Sequence, residues 1–457
     1  MDHQHLSRAH YETLMRGELP PRKLLLHLFR HLLTVCPVCA EQWQGFFEPE
    51  PGSPAASRSR GRPPSSRPPE RCAVDDLLSR SGEIFRQVEE DQHKARPLLE
   101  ELLTLPKLED RVCRVRRSRR FRSWALCDLL FEESRATAFR DPPAAEELAE
   151  LALETAWSLD GTELSRELVA DLVARGWAFL ANARRMTSDL RLAEETFLLA
   201  HLFLDQGTGD PSVFAEVLNL EASLQRDRRR FETALKLLKQ VVAIHRRSGE
   251  SHLQGRALLK TAITHAEAGD LTTALRVIRR GARLITPERE PRLSLCFRHT
   301  EVLYINRLGR HQEAEERMGE LSLHYARFPD PWTQLRRRWL LGEIAEGLGS
   351  LDRAEGLYCS VRAGFIEQGI GYDAALVSLN LAALYAEQGR TAEIRALAGE
   401  MLRIFESRDV HREAIAALIL FQRAAQRDSV TRSMAREMSD YLRRARKNPK
   451  MRFEVPS

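Results

Sequence analysis

Cys36 and Cys39 enclose Pro-Val and form a C-x-x-C pair. Such a knuckle points two thiolates at one tetrahedral ion, and a helical imidazole one or two turns away can supply further ligands. His31 lies five residues before Cys36, His27 one helical turn before His31, and His5 opens the first helix that the pattern predicts. Two sulfurs with two imidazoles suit zinc, which has no redox chemistry of its own. Two other readings stay open. One is a small helical bundle with free cysteines and surface histidines. The other is a redox-active dithiol, which needs a βαβ setting around the pair, whereas the pattern here is helical.

The densest charge is the run of arginines at 111, 114, 116, 117, 119, 120 and 122. On one helix these positions wrap most of the circumference. A nucleic-acid-binding helix would instead offer a basic stripe with aromatics free to stack, and Phe121 and Trp124 read as core anchors. The run is therefore expected to be a solvated or salt-bridged face, and nucleic acid is not the expected partner. No P-loop, strand-borne G-x-G-x-x-G, H-E-x-x-H or G-x-S-x-G occurs, and each of those carries its chemistry through a specific local backbone. The expectation is that the chain is not an enzyme. Cys72, Cys113, Cys127, Cys296 and Cys359 share no spacing. Most are expected to be buried small hydrophobes.

The elements that must position such residues are helices. Leu, Ala, Arg and Glu dominate, residue types that lose little side-chain freedom in a helix, and period-two Val/Ile/Thr runs are nearly absent. The 457 residues are too many for one compact core. Lys and Arg number 70 against 65 Asp and Glu, a balance that by itself names no nucleic-acid partner. No stretch approaches the roughly 20 apolar residues of a membrane span, and no basic-then-apolar leader opens the chain. A reducing cytoplasm is the expected setting.

Self-similarity organises the helices. Ala193, Ala234, Ala274, Ala314 and Ala354, then Ile394, recur at steps of 41, 40, 40, 40 and 40. Five residues earlier stand Ser188, Arg229, Gly269, Gly309, Gly349 and Gly389, suiting a helix end with positive φ. Twelve residues earlier stand Ala181, Ala222, Ala262, Val302, Gly342 and Ala382. Four residues later stand Phe197, Leu238, Ile278, Met318 and Tyr358. The small columns predict helix pairs in close approach, and the large one fills the seams between stacked pairs.

This pattern resembles the tetratricopeptide repeat, including Gly309-Arg-His-Gln-Glu-Ala314 and Leu384-Tyr-Ala-Glu-Gln-Gly389, over residues 174–410. The period of 40 exceeds the family's usual value of about 34. The additional residues fall between repeats, as at Thr286–Pro291, and imply longer second helices or longer loops. The resemblance implies an all-α, right-handed α-solenoid whose first helices line a groove. In that register Asn182, Arg185, Asn219, Arg226, Arg256, Asn306 and Arg307 face it. Asn can bond a peptide backbone and Arg can grip a carboxylate bidentately, so an acidic peptide or a C-terminal carboxylate is the expected ligand. The same residues read equally as the polar side of an exposed helix.

Residues 1–47 resemble the zinc-binding anti-sigma-factor domain through His5-Leu-Ser7, Gly17-Glu-Leu19 and the segment from His31 to Cys39. That resemblance implies zinc on His5, His31, Cys36 and Cys39, and a sigma factor as partner. The chain has one more residue between His31 and Cys36 than the family usually has, which leaves His27 or His10 as a substitute ligand. Residues 48–72, rich in Pro, Ser, Gly and Arg, read as a flexible linker. Residues 73–173 read as a helical region with a degenerate repeat. Within it Leu108–Ala138 reads as one long helix and Ala144–Leu159 as its partner. Residues 411–446 read as a charged capping helix pair and 447–457 as a tail. The whole reads as a cytoplasmic protein–protein adaptor, regulatory in character, with a zinc head joined to a peptide-binding solenoid. A plain scaffold without sigma-factor binding is the alternative.

Overall fold

The computed structural model describes residues 69–138, 141–159, 164–406, 412–446 and 451, with side chains within those ranges from 86 to 404 and from 414 onward. The expected zinc module lies outside the described residues, as does most of the linker. Helices account for the secondary structure of the described residues, which form an all-α helical repeat.

The helices are α1 (Pro69–Leu103), α2 (Leu108–Arg117), α3 (Trp124–Thr137), α4 (Pro142–Ser158), α5 (Arg166–Met186), α6 (Leu190–Leu204), α7 (Pro211–Asp227), α8 (Phe231–Arg247), α9 (Ser251–Glu267) and α10 (Leu271–Ala282). There follow α11 (Pro291–Arg307), α12 (His311–Glu320), α13 (Ser322–Ala326), α14 (Pro331–Gly347), α15 (Leu351–Glu367), α16 (Gly371–Glu387), α17 (Thr391–Glu406), α18 (Arg412–Gln426) and α19 (Arg432–Ala445). Two compact units divide the chain: Met1–Glu221 with Gln240–Glu250, and Ala222–Lys239 with Ser251–Ser457.

Every column of the repeat has its physical counterpart. The six turn positions all adopt positive φ, from Ser188 at 71° and Arg229 at 60° to Gly269 at 95° and Gly389 at 69°. There the chain reverses in a Schellman turn, in which an amide beyond the helix end reaches back five residues. Asp189 N donates to Arg184 O at 2.9 Å, Asp270 N to His265 O at 2.9 Å and Arg390 N to Tyr385 O at 2.9 Å. Asp189 and Asp270 then cap the next helix, their carboxylates accepting from Leu192 N at 3.0 Å and Thr273 N at 2.9 Å. The anchors from Ala193 to Ile394 and the seam residues Phe197, Leu238, Ile278, Met318 and Tyr358 are buried.

Both explanations of the long period operate. α15 runs a full 17 residues. α10 stops at 12 residues and a longer connection follows it, and α12 stops at 10, with the short helix α13 filling the way to α14.

In the first unit α1 buries Val88, Ala95, Leu98, Leu99 and Leu102, one stripe at helical spacing. It begins at Pro69, so the last four residues of the segment read as linker are helical. The helix expected over Leu108–Ala138 is broken. α2 stops at Arg117, a 3₁₀ turn spans Arg119–Phe121, and Ser123 Oγ caps α3 by accepting from Leu126 N at 3.3 Å. Phe121 and Leu126 are both fully buried, yet one continuous helix would set them about 140° apart. Breaking the helix brings both into the core. Phe131 stacks on Phe179 at 4.9 Å between centroids, and Ala145, Ala149 and Ala152 of α4 are fully buried.

The arginine run therefore does not encircle one helix. Arg111 pairs with Glu147 at 3.2 Å, Arg116 with Glu154 at 2.6 Å, and Arg114 and Arg120 share Glu101. The expectation of buried cysteines fails at two positions. Cys127 is buried and Cys113 half-buried, but Cys296 and Cys359 are exposed.

Candidate functional site

The second unit holds a cavity of about 760 Å³, within the range usual for ligand sites. Six helices, α7, α9, α11, α14, α16 and α19, contribute through their ends or inner faces. α7 supplies Arg226 to its wall and α11 supplies His299, Leu303 and Arg307. α14 supplies Arg336, Trp339, Leu340 and Glu343, and α19 supplies Asp440, Arg443 and Arg444. Arg228, Arg229, Asp227, Glu267, Asp373, Leu376 and Arg446 complete the polar rim and apolar floor. Eight arginines thus face five carboxylates, an excess of three positive charges.

Trp339 is the centre of the apolar floor. It is only 5% exposed, and its indole Nε1 has no hydrogen-bond partner. The Arg336 guanidinium lies 5.3 Å from the Trp332 ring and 5.5 Å from the Trp339 ring, and Arg443 lies 5.9 Å from the latter. Positions 332, 336 and 339 share one helix face, which is why the two rings bracket the arginine. Phe365 supports Trp339 edge-on at 5.8 Å.

The carboxylates only partly answer these charges. Asp373, 2% exposed in its side chain, sits 3.1 Å from Arg446 and 4.0 Å from Arg336. Glu343 is 3.8 Å from Arg443. Desolvation holds the Arg336 guanidinium below its ordinary pKa, and Arg446 and Arg443 add repulsion that Asp373 and Glu343 oppose. His299, 2.6 Å from the Tyr325 hydroxyl, is pushed down to about 4 by burial, with Arg336 reinforcing the shift. At neutral pH it is an uncharged wall residue.

The seven groove residues expected from the repeat register are dispersed. Arg226 and Arg307 line the cavity. Arg256 is on α9, 3.8 Å from Glu290. Asn306 is buried, with its Oδ1 2.7 Å from His311 Nδ1, so it braces its own repeat turn. In the first unit Asn182 Oδ1 accepts from Arg185 at 3.0 Å, and Asn219 is half-buried on α7. The register missed Arg336, Trp339, Arg443 and Arg446. For the first two a signal existed, the Trp332–Arg336–Trp339 spacing. The arginines of α19 read as the charge of a terminal cap. In the structure Arg432 and Arg436 reach Glu346 at 3.0 and 3.3 Å, and Arg432 also pairs with Glu387.

Among the described residues no helix is long and apolar enough to cross a membrane. No protein-family model matches the chain. No curated protein matches it. Among solved structures, it is similar to a Rap protein complexed with Competence and Sporulation Factor, at 13% identity and a TM-score of 0.50 over 70% of this chain and 87% of that one. It also aligns with aspartyl phosphate phosphatase F from Bacillus subtilis, at 12% identity and a TM-score of 0.43 over 73% of this chain and 98% of that one. The first likeness is one of fold: a tetratricopeptide-like helical repeat.

Proposed function

We propose that this chain is a protein-interaction adaptor that captures acidic peptide segments in the arginine-lined cavity of its second unit, and that it works by binding rather than by catalysis. The observation that carries this reading is the charge excess of three around an apolar floor. Guanidiniums spread along a wall can take several carboxylates in turn. The floor of Trp339, Leu340 and Leu376 suits the side chains between them better than it suits a lone inorganic anion. The Rap protein of like fold was crystallised in complex with a factor, which supports a binding role for this chain by analogy alone.

The reading extends to a regulatory role, with structural zinc on His5, His31, Cys36 and Cys39. The C-x-x-C pair of Cys36 and Cys39 supports zinc, and both the four-residue ligand set and a sigma-factor partner rest on the resemblance of residues 1–47.

Titration of the full-length chain with labelled hexaglutamate and hexaglutamine peptides tests the cavity. Binding of the acidic peptide should weaken as salt screens the exposed arginines. Equal binding of both peptides would remove the basis of the reading.

A further inference from the structure

The final helix shapes the cavity through two faces that oppose each other energetically. α19 packs mainly on α16 rather than on α18, which it follows. Its apolar face buries Ala435, Met438, Tyr441, Leu442 and Ala445, and the Tyr372 hydroxyl donates to Leu442 O at 2.8 Å. Its polar face brings Arg443 and Arg446 toward Arg336, with Asp373 and Glu343 the carboxylates that offset them. Burial draws the helix in while like charges push it out. Arg432 adds a second cost, since its Nε is buried without a partner.

The charge of the cavity depends on this helix. With the terminal stretch docked, eight arginines face five carboxylates. Without Arg443, Arg444, Arg446 and Asp440, five face four, and the excess falls from three to one.

We propose that α19 and an acidic peptide bind cooperatively: the peptide's carboxylates complete the neutralisation of Arg336, Arg443 and Arg446 and so lock α19 onto α16. This rests on the reading that the cavity takes acidic peptides. A single helix can open locally at a free energy below that of global unfolding. Linkage requires that whatever a docked α19 does for the peptide, the peptide does for α19.

Hydrogen exchange of the full-length chain, with and without saturating acetylated hexaglutamate, tests this while fluorescence anisotropy records binding in the same buffer. The amides of α19 are expected to exchange about fivefold or more slowly with peptide, an effect of coupling, while those of α10 stay unchanged. Met438→Ala loosens α19 from its apolar side and removes no charge. It should speed exchange in α19 and weaken the peptide severalfold. Peptide that binds without slowing α19, or Met438→Ala that frees α19 at unchanged affinity, overturns the cooperativity and leaves the binding reading standing. No binding at all overturns both.

Discussion

Gly342 faces the ring of Tyr358 so closely that a Cβ there would stand 2.7 Å from Cε1 and 2.8 Å from Cδ1. Tyr358 is fully buried, and its hydroxyl donates to Glu346 Oε2 at 2.8 Å. The first helix of a pair has given up its side chain so that the second can insert a ring. Gly342→Ala should therefore destabilise the chain by about 1–3 kcal/mol through overpacking. Gly356, with nothing within 4 Å of its added Cβ, lies on the exposed side of α15. Gly356→Ala should instead stabilise by about 0.5–1 kcal/mol. Urea unfolding of both variants measures the difference in sign.

Ser188 occupies a turn position at φ 71°, where four of the six repeats use glycine. A side chain in the left-handed region costs about 1–2 kcal/mol, and glycine's greater chain entropy returns part of that. Ser188→Gly is expected to raise stability by about 0.5 kcal/mol, read as a higher midpoint in thermal unfolding. A lower midpoint would mean that the serine makes a contact worth more than the strain.

Acid should weaken the fold through its buried histidines. Burial pushes His299 and His245 down to about 4 from the ordinary 6.5. The folded value lies below the unfolded one, so the unfolded chain takes up the proton first. Their contribution is complete above pH 6.5 and is lost as pH falls from 6.5 toward 4. Each contributes on the order of 3 kcal/mol. His299→Gln should flatten the stability profile in that window, and an unchanged slope would show that the ring takes up its proton alike in the folded and unfolded chain.

Arg175 ties the first unit together. It pairs with Asp128 at 2.7 Å and Glu216 at 2.6 Å, and its guanidinium lies 4.7 Å from the Phe131 ring. Arg175→Met removes the cation that Asp128 and Glu216 share, while Glu216 keeps Arg135 at 2.7 Å, and should cost about 2 kcal/mol. Differential scanning calorimetry checks it; a loss below about 1 kcal/mol would place the trio among weak surface pairs.

The repeat was legible because it is written six times. Ser188 and Arg229 could be assigned to a glycine column by spacing alone, since the turn geometry repeats whatever side chain it carries. The break at Arg117 was harder to see: the arginine run sustains a helical pattern, and only the Ser123 cap and the need to bury both Phe121 and Leu126 decide against it. Of the residues that spacing assigned to a groove, Arg226 and Arg307 line the cavity, whereas the Asn306 amide is engaged by His311. The contribution of α19 was illegible because its docking on α16 is a tertiary choice without a local signature. An arginine-rich amphipathic helix looks the same whether its charges meet water or the carboxylates of another helix.

The N-terminal cysteines lie outside the described residues and are tested by composition. Elemental analysis of the purified chain is expected to give one zinc per molecule, lost in Cys36→Ser. Stoichiometric metal retained in that variant would move the ligands elsewhere.

The central claim is that arginines of the second unit grip acidic peptide. The most direct measurement is the affinity of labelled hexaglutamate for the full-length chain against Arg307→Gln, a change at an exposed cavity wall. Losing one charge-assisted contact of about 1.5–2 kcal/mol should weaken binding roughly tenfold at an unchanged melting temperature. Affinity indifferent to Arg307→Gln, and likewise to Arg336→Gln, would contradict the account and send the search for the ligand to another surface.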